Sequence, residues 1–218
     1  MQDLTIAVVG ATGAVGAEFL RIVETRYPNL PKLKLLASSR SAGKHISVGG
    51  KDLVVEEATE KSFDGVDVAF ISASSEVSHQ LAPAAVAAGA VVIDDGSAFR
   101  MEDTVPLVVP EVNGADVEWH QGIISIPNCS TTPLVMAAHP LHQVNPIKRI
   151  VADTYQSVSG AGAGAGALSA YGRVARRSAT LPVGVVEAEV REVALTGDEG
   201  TAARRVVGGV THVTSRPE

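Results

Sequence analysis

A strand-length apolar run, Leu4-Thr-Ile-Ala-Val-Val9, breaks directly into Gly10-Ala-Thr-Gly13-Ala-Val-Gly16, and an amphipathic segment follows. An apolar run without polar alternation fits a strand covered on both faces, the setting of a parallel sheet. From Ala14 to Thr25 the apolar residues Val15, Phe19, Ile22 and Val23 recur at helical spacing. Small residues at such a strand-to-helix junction let backbone N–H groups approach a pyrophosphate, whose charge the helix dipole favours. Gly10, Thr12, Gly13, Ala14 and Val15 are therefore candidate cofactor-binding residues. A bare glycine turn without a ligand is the alternative; the position after the first strand argues against it. The spacing G-x-x-G-x-x-G differs from the common fingerprint G-x-G-x-x-G.

The alternation continues. Lys34–Ala37, Val66–Ser72, Ala90–Ile93 and Gly122–Ile126 read as strands, and Glu76–Ala88 as an Ala-rich helix stopped by Gly89. Strands alternating with helices imply parallel pairing and right-handed crossovers. The expected fold is α/β: a Rossmann-like, doubly wound parallel sheet.

The end of the second strand selects between cofactors. An NAD site usually places Asp or Glu there for the ribose 2′-hydroxyl. Here the chain reads Ala37-Ser38-Ser39-Arg40-Ser41-Ala42-Gly43-Lys44, without an acid. Hydroxyls and a guanidinium suit a 2′-phosphate. NADP is expected over NAD, with Arg40 and Ser41 as its ligands and Lys44 as a solvated loop charge.

The single cysteine, Cys129, excludes an intrachain disulfide and a cysteine-cluster metal site. It lies in Ile126-Pro-Asn-Cys-Ser-Thr-Thr-Pro133, where Thr132 reads as a helix N-cap and Pro133 as the first helical residue. A lone cysteine is often a small core residue. The polar neighbours Asn128, Ser130 and Thr131, and the helix start, favour a nucleophile instead. Beside a nicotinamide cofactor, a reactive sulfur suggests acyl chemistry through a thioester.

Composition bounds the rest. The net charge of −6 over 218 residues argues against a basic nucleic-acid-binding stripe. No apolar run approaches the ~18 residues of a membrane span, and Met1-Gln2-Asp3-Leu4 lacks a basic leader region. A cytoplasmic protein without a membrane partner is expected. Residues 168–218 contain no Lys, Ile, Phe, Asn, Gln, Met, Cys or Trp, although the chain has 10 Ile and 6 Lys before them. The junction is the low-complexity run Gly160-Ala-Gly-Ala-Gly-Ala-Gly166. Two readings stay open: an Arg/Ala/Val/Gly-rich domain end after a flexible connector, or a tail that is not native continuation.

Six ordered segments resemble bacterial aspartate-semialdehyde dehydrogenases: Gly10–Gly16, Ser38–Lys44, Asp94-Asp-Gly-Ser-Ala-Phe-Arg100, Val105–Asn113, Pro127-Asn-Cys-Ser-Thr131 and Thr154-Tyr-Gln-Ser-Val-Ser-Gly-Ala161. The resemblance runs from residue 4 to about 163. It implies reversible, NADP-linked conversion of aspartyl 4-phosphate to aspartate semialdehyde and phosphate, in lysine, threonine and methionine biosynthesis. It also implies that Cys129 is the nucleophile, that Arg100 binds the phosphate group and that Gln156 orients the substrate. Ser159 and Gly160 would contact the cofactor, together with Thr12–Val15 and Arg40–Ser41. Members of the family form homodimers, largely through the substrate domain.

The same resemblance marks a departure. The family supplies a catalytic His in a Gly-His-Ser setting, and no Gly-His-Ser occurs in this sequence. Five of the six His precede the region where that base should lie, and His212 follows it. Three parts are expected: an NADP-binding domain over 1–128, the start of an incomplete α+β substrate and dimerisation domain over 129–167, and an atypical tail over 168–218. NADP binding with slow turnover or none is anticipated, and normal dimer assembly is in doubt. N-acetylglutamyl-phosphate reductase is the nearest enzymatic rival, and the Asn-Cys-Ser-Thr stretch favours the aspartate enzyme. A short-chain dehydrogenase would need Tyr-x-x-x-Lys, which Tyr27, Tyr155 and Tyr171 all lack. A non-catalytic nucleotide-binding homologue is the remaining alternative.

Overall fold

Five strands run parallel through the core of the computed structural model: β1 (Thr5–Val9), β2 (Lys32–Ala37), β5 (Val68–Ile71), β6 (Val91–Asp94) and β7 (Ile123–Ser125). A hairpin, β3 (His45–Val48) and β4 (Lys51–Glu57), adds parallel to β2 through β4, with β3 antiparallel at the edge. The order is β3-β4-β2-β1-β5-β6-β7. The structure describes residues 4–147 and 150, and two short strands, β8 (Val190–Arg191) and β9 (Val207–Gly208), which pair antiparallel. The chain divides into two units, Met1–Pro127 and Asn128–Glu218.

In the first unit, β1 is the central strand because nothing along Ala7-Val8-Val9 tolerates water; all three are buried. From β1 the chain winds outward to β2, then returns to place β5 on the opposite side. That reversal opens a crevice at the C-terminal ends of β1 and β5, the place where open α/β sheets bind ligands. Helices α1 (Ala14–Arg26) and α2 (Ser75–Ala87) are the long crossovers. One core layer joins Leu20 of α1 to Val8, Leu35, Val48, Val55 and Phe70. Phe19 stacks on Phe70 at 4.2 Å between ring centroids. The other joins Leu81, Ala82 and Ala85 of α2 to Val9, Phe63, Ile71 and Val92.

Helix α2 starts one residue before the sequence reading, because Ser74 caps it by accepting from Val77 N–H. Gly89 follows its C-cap at φ +94°, as its sequence position predicts. A short helix, α3 (Pro110–Asn113), precedes β7. In the second unit, α4 spans Thr131–Val144 with Ser130 as N-cap. The expected cap at Thr132 is thus corrected: Thr131 and Thr132 N–H both donate to the Asn128 carbonyl, at 2.9 and 3.1 Å, so the helix opens earlier. Among the described residues no helix is long and apolar enough to cross a membrane, and no three His, Cys, Asp or Glu cluster as metal ligands.

Candidate active site

The turn between β1 and α1 requires glycine at two places. Gly10 sits at φ +88°, and a Cβ there would overlap the carbonyl oxygen of Ser72 at the end of β5. A Cβ on Gly16 would overlap the carbonyl oxygen of Gly10. The turn is closed by Gly13 N–H donating to Gly10 O at 2.9 Å. Gly13, the N-cap, offers no side chain to the first helical turn. Those first-turn N–H groups lack intrahelical acceptors and are available to an anion. Thr12, Gly13, Ala14 and Val15 are exposed there.

A second segment approaches this turn. Ser39–Ser41 forms a single 3₁₀ turn after β2, with Arg40 exposed. Thr12 Oγ1 donates to Ser41 Oγ at 3.3 Å, joining the two candidate cofactor segments. Lys44 Nζ donates to the same Ser41 Oγ at 3.4 Å. Its charge therefore stands at the Ser41 corner while remaining exposed, a placement that its sequence context did not reveal. No acid follows β2 in this segment.

Further along the same C-terminal edge, Arg100 is half-buried and fixed by its own fork. Nε donates to the Ile126 carbonyl just past β7, and Nη2 to the Asp95 carbonyl just past β6, each at 2.9 Å. Ser72 Oγ donates to Asp95 Oδ2 at 2.9 Å. Beneath them Asp94 is fully buried; its Oδ1 accepts from the equally buried Ser78 Oγ of α2 at 2.7 Å. Asp94 Oδ2 has no hydrogen-bond partner among the described residues. Burial pushes the Asp94 carboxyl above the usual carboxylate range, and Asp95 adds to the rise. The Ser78 hydroxyl, the Gly96 amide and the Arg100 charge pull it back. The buried Asp94–Ser78 pair carried no sequence signal, since 16 residues separate its members.

The second unit holds Cys129, which is exposed. Its Sγ lies 3.8 Å from Asn128 Oδ1, which also accepts from Ser130 N–H and Ser130 Oγ at 3.0 and 2.7 Å. The sequence marked Asn128 as a polar neighbour of Cys129, but not the hydrogen bonds that its side-chain oxygen accepts from Ser130. Gln156, Ser159, Gly160 and His212 lie outside the described residues.

Residues 5–120 match the family described as semialdehyde dehydrogenase, NAD binding domain. The aspartate-semialdehyde dehydrogenase of Bacillus subtilis is 51% identical over 161 residues, covering 74% of this chain and 46% of that protein. The Synechocystis protein of the same name is 49% identical over 162 residues, covering 74% and 48%. Among solved structures, aspartate semialdehyde dehydrogenase II from Vibrio cholerae aligns with a TM-score of 0.74 at 41% identity, over 84% of this chain and 55% of that one. The Candida albicans enzyme, solved with NADP, aligns with a TM-score of 0.61 at 31% identity, over 72% and 52%. The chain spans about half the length of the curated relatives it matches. With more than half of its residues inside the nucleotide-binding domain of these proteins, the chain belongs to the aspartate-semialdehyde dehydrogenase family.

Proposed function

We propose that the chain binds NADP and acts as an aspartate-semialdehyde dehydrogenase, an oxidoreductase of amino-acid biosynthesis. The observation that carries this reading lies within the first unit. A glycine turn that admits no Cβ and a guanidinium pinned to two carbonyls share the C-terminal edge of one parallel sheet. The turn suits a dinucleotide pyrophosphate, and the fixed positive charge of the pinned guanidinium suits a second, substrate phosphate.

The residues present fit NADP. Glycines at 10 and 16 let the backbone fold tightly enough to form the turn, and the N–H groups of the exposed residues Thr12, Ala14 and Val15 supply donors for a pyrophosphate. Arg40, Ser41 and Lys44 form a cationic, hydroxyl-bearing corner suited to a 2′-phosphate. When bound, the reduced cofactor supplies hydride. Arg100 holds the acyl phosphate by its phosphoryl group. The Cys129 sulfur, once its proton is removed, attacks the acyl carbon; the C–S bond forms and phosphate leaves with the C–O electron pair. Gln156, Ser159 and Gly160 keep the substrate-orienting and cofactor-contacting roles that the resemblance gives them. A cytoplasmic location and homodimer formation belong to the same proposal.

A second reading is a nucleotide-binding homologue without turnover; the family match over residues 5–120, which lies within the NAD binding domain, favours it. Phosphate-dependent NADP reduction by aspartate semialdehyde separates the two. Turnover that disappears in Cys129→Ser supports the enzyme. NADP binding with no turnover supports the second reading, and failure to bind NADP overturns both.

A further inference from the structure

Two main-chain carbonyls accept from the Arg100 fork, and both adjoin Asp94. One is the Asp95 carbonyl, which takes Nη2. The other is the Ile126 carbonyl, which takes Nε, while the Ile126 N–H donates to the Asp94 carbonyl at 3.1 Å. The Asp94 side chain lies in the buried layer against α2, where its Oδ1 accepts from Ser78 Oγ at 2.7 Å. A Cβ on Gly96 would lie 3.3 Å from each Asp94 oxygen and 3.4 Å from Ser78 Oγ, so the chain after Asp95 passes close against the carboxyl. Asp95 is thus bracketed: the residue before it is tied to α2, and the residue after it rests on that tie. Asp95 N–H also donates to the Ile71 carbonyl at 2.8 Å, and its Oδ2 accepts from Ser72 Oγ. An apolar side chain at 94 would fill the same space at less cost in solvation; a hydrogen-bonded pair also fixes direction.

We propose that Asp94 is a positioning residue for Arg100: its Ser78-held carboxyl seats the Asp94–Gly96 backbone, so that the Asp95 and Ile126 carbonyls stand at the spacing the guanidinium needs. The consequence for substrate rests on Arg100 being the phosphate ligand. A positive charge already fixed in place loses little freedom on meeting a phosphoryl group, whereas a swinging one loses more.

Two readouts on the full 218-residue protein test the assignment. Hydrogen exchange of the Arg100 Nε–H, identified by NMR through its loss in Arg100→Lys, reads the seat of the guanidinium. Calorimetric titration with inorganic phosphate reads its use. Asp94→Ala should speed Nε–H exchange roughly five- to tenfold and weaken phosphate binding by a similar factor, the worth of one buried hydrogen bond. NADPH affinity should not change. Asp94→Asn keeps an oxygen for Ser78 and should return both readouts to the parent values. Ser78→Ala should move both in the Asp94→Ala direction by less. Val92→Ala truncates a buried neighbour two residues earlier on β6, in the core layer against α2; it should lower the urea midpoint and leave both readouts unchanged. Loss in Asp94→Ala with recovery in Asp94→Asn supports the proposal. Unchanged readouts in Asp94→Ala overturn it, and so does an equal loss in Val92→Ala, which would mean that any weakening of the core frees the guanidinium. Should Asp94→Ala fail to fold, Ser78→Ala decides: unchanged readouts overturn the proposal. A parent that binds no phosphate removes the ligand role from Arg100, and Nε–H exchange still decides what seats it, so the two readings fail separately.

Discussion

Ser78 Oγ donates to Asp94 Oδ1 at 2.7 Å with both residues fully buried, tying the first turn of α2 to the end of β6. Removing the hydroxyl in Ser78→Ala takes from Asp94 Oδ1 its side-chain donor. A loss of about 1–3 kcal/mol in unfolding free energy is expected, the cost of an unsatisfied buried polar group. Urea denaturation measures it, and an unchanged midpoint would show that the pair contributes nothing.

The raised Asp94 pKa makes that pair pH-sensitive. Its neutral form is favoured by folding, so the contribution is complete below the unfolded value of about 3.9. The contribution is lost as pH rises through the higher, folded value. The amide introduced by Asp94→Asn has no proton to lose, so the stability of that variant relative to the parent should improve with rising pH. Thermal melts from about pH 4 to pH 8 test the sign; a constant difference would contradict the linkage.

Helix propensity alone would favour Gly16→Ala by about 1 kcal/mol. The overlap of the added methyl with the Gly10 carbonyl reverses that preference. The variant should lose stability and bind NADPH at least tenfold more weakly, because the turn must open to admit the methyl. Fluorescence titration and a melt give both quantities. An Ala variant that is more stable and binds normally would mean that the turn is not as tight as described.

At the Ser41 corner, Arg40→Ala should weaken NADPH binding roughly 10- to 100-fold while leaving NADH unchanged, as expected for a charge-assisted contact. Lys44→Ala should cost roughly two- to fivefold, and its effect should fade with added salt because the amine is exposed. Equal losses for both nucleotides would place these residues away from the 2′-phosphate.

Arg100→Lys keeps the charge and gives up the fork. Lysine cannot hold the Asp95 and Ile126 carbonyls together as the two guanidinium nitrogens do. Inorganic phosphate should bind about tenfold more weakly, with NADPH affinity unchanged. Calorimetric titration of both ligands checks the separation.

The parts legible in the sequence are those where one residue type answers one physical need. The apolar run before Gly10, the glycine spacing to Gly16 and the stop at Gly89 are of this kind, and each sits as expected. The hairpin of β3 and β4 escapes a reading by apolar runs because most of its residues are exposed and polar residues interrupt the apolar ones. A signal is nevertheless present: Gly49-Gly50, at φ +58° and +74°, separates the alternating Ile46 and Val48 from Leu53 and Val55. The start of α4 misleads because Thr132-Pro133 has the composition of a cap, whereas the main-chain carbonyl of Asn128 takes the first N–H groups. Main-chain acceptors leave no mark on residue identity. Asp94 and Ser78 meet only after the sheet has formed, and no local pattern joins them.

The outer side of β7 is already engaged. Ser125 N–H donates to the Pro106 carbonyl and Val108 N–H to the Ser125 carbonyl, both at 2.9 Å. The sheet therefore terminates on its own polypeptide at that flank, and a stranger's backbone finds no vacant ladder beside Ser125. At the opposite flank β3 remains an edge strand, so this self-closure shields one side of the sheet and leaves recruitment by a foreign strand to the hairpin side.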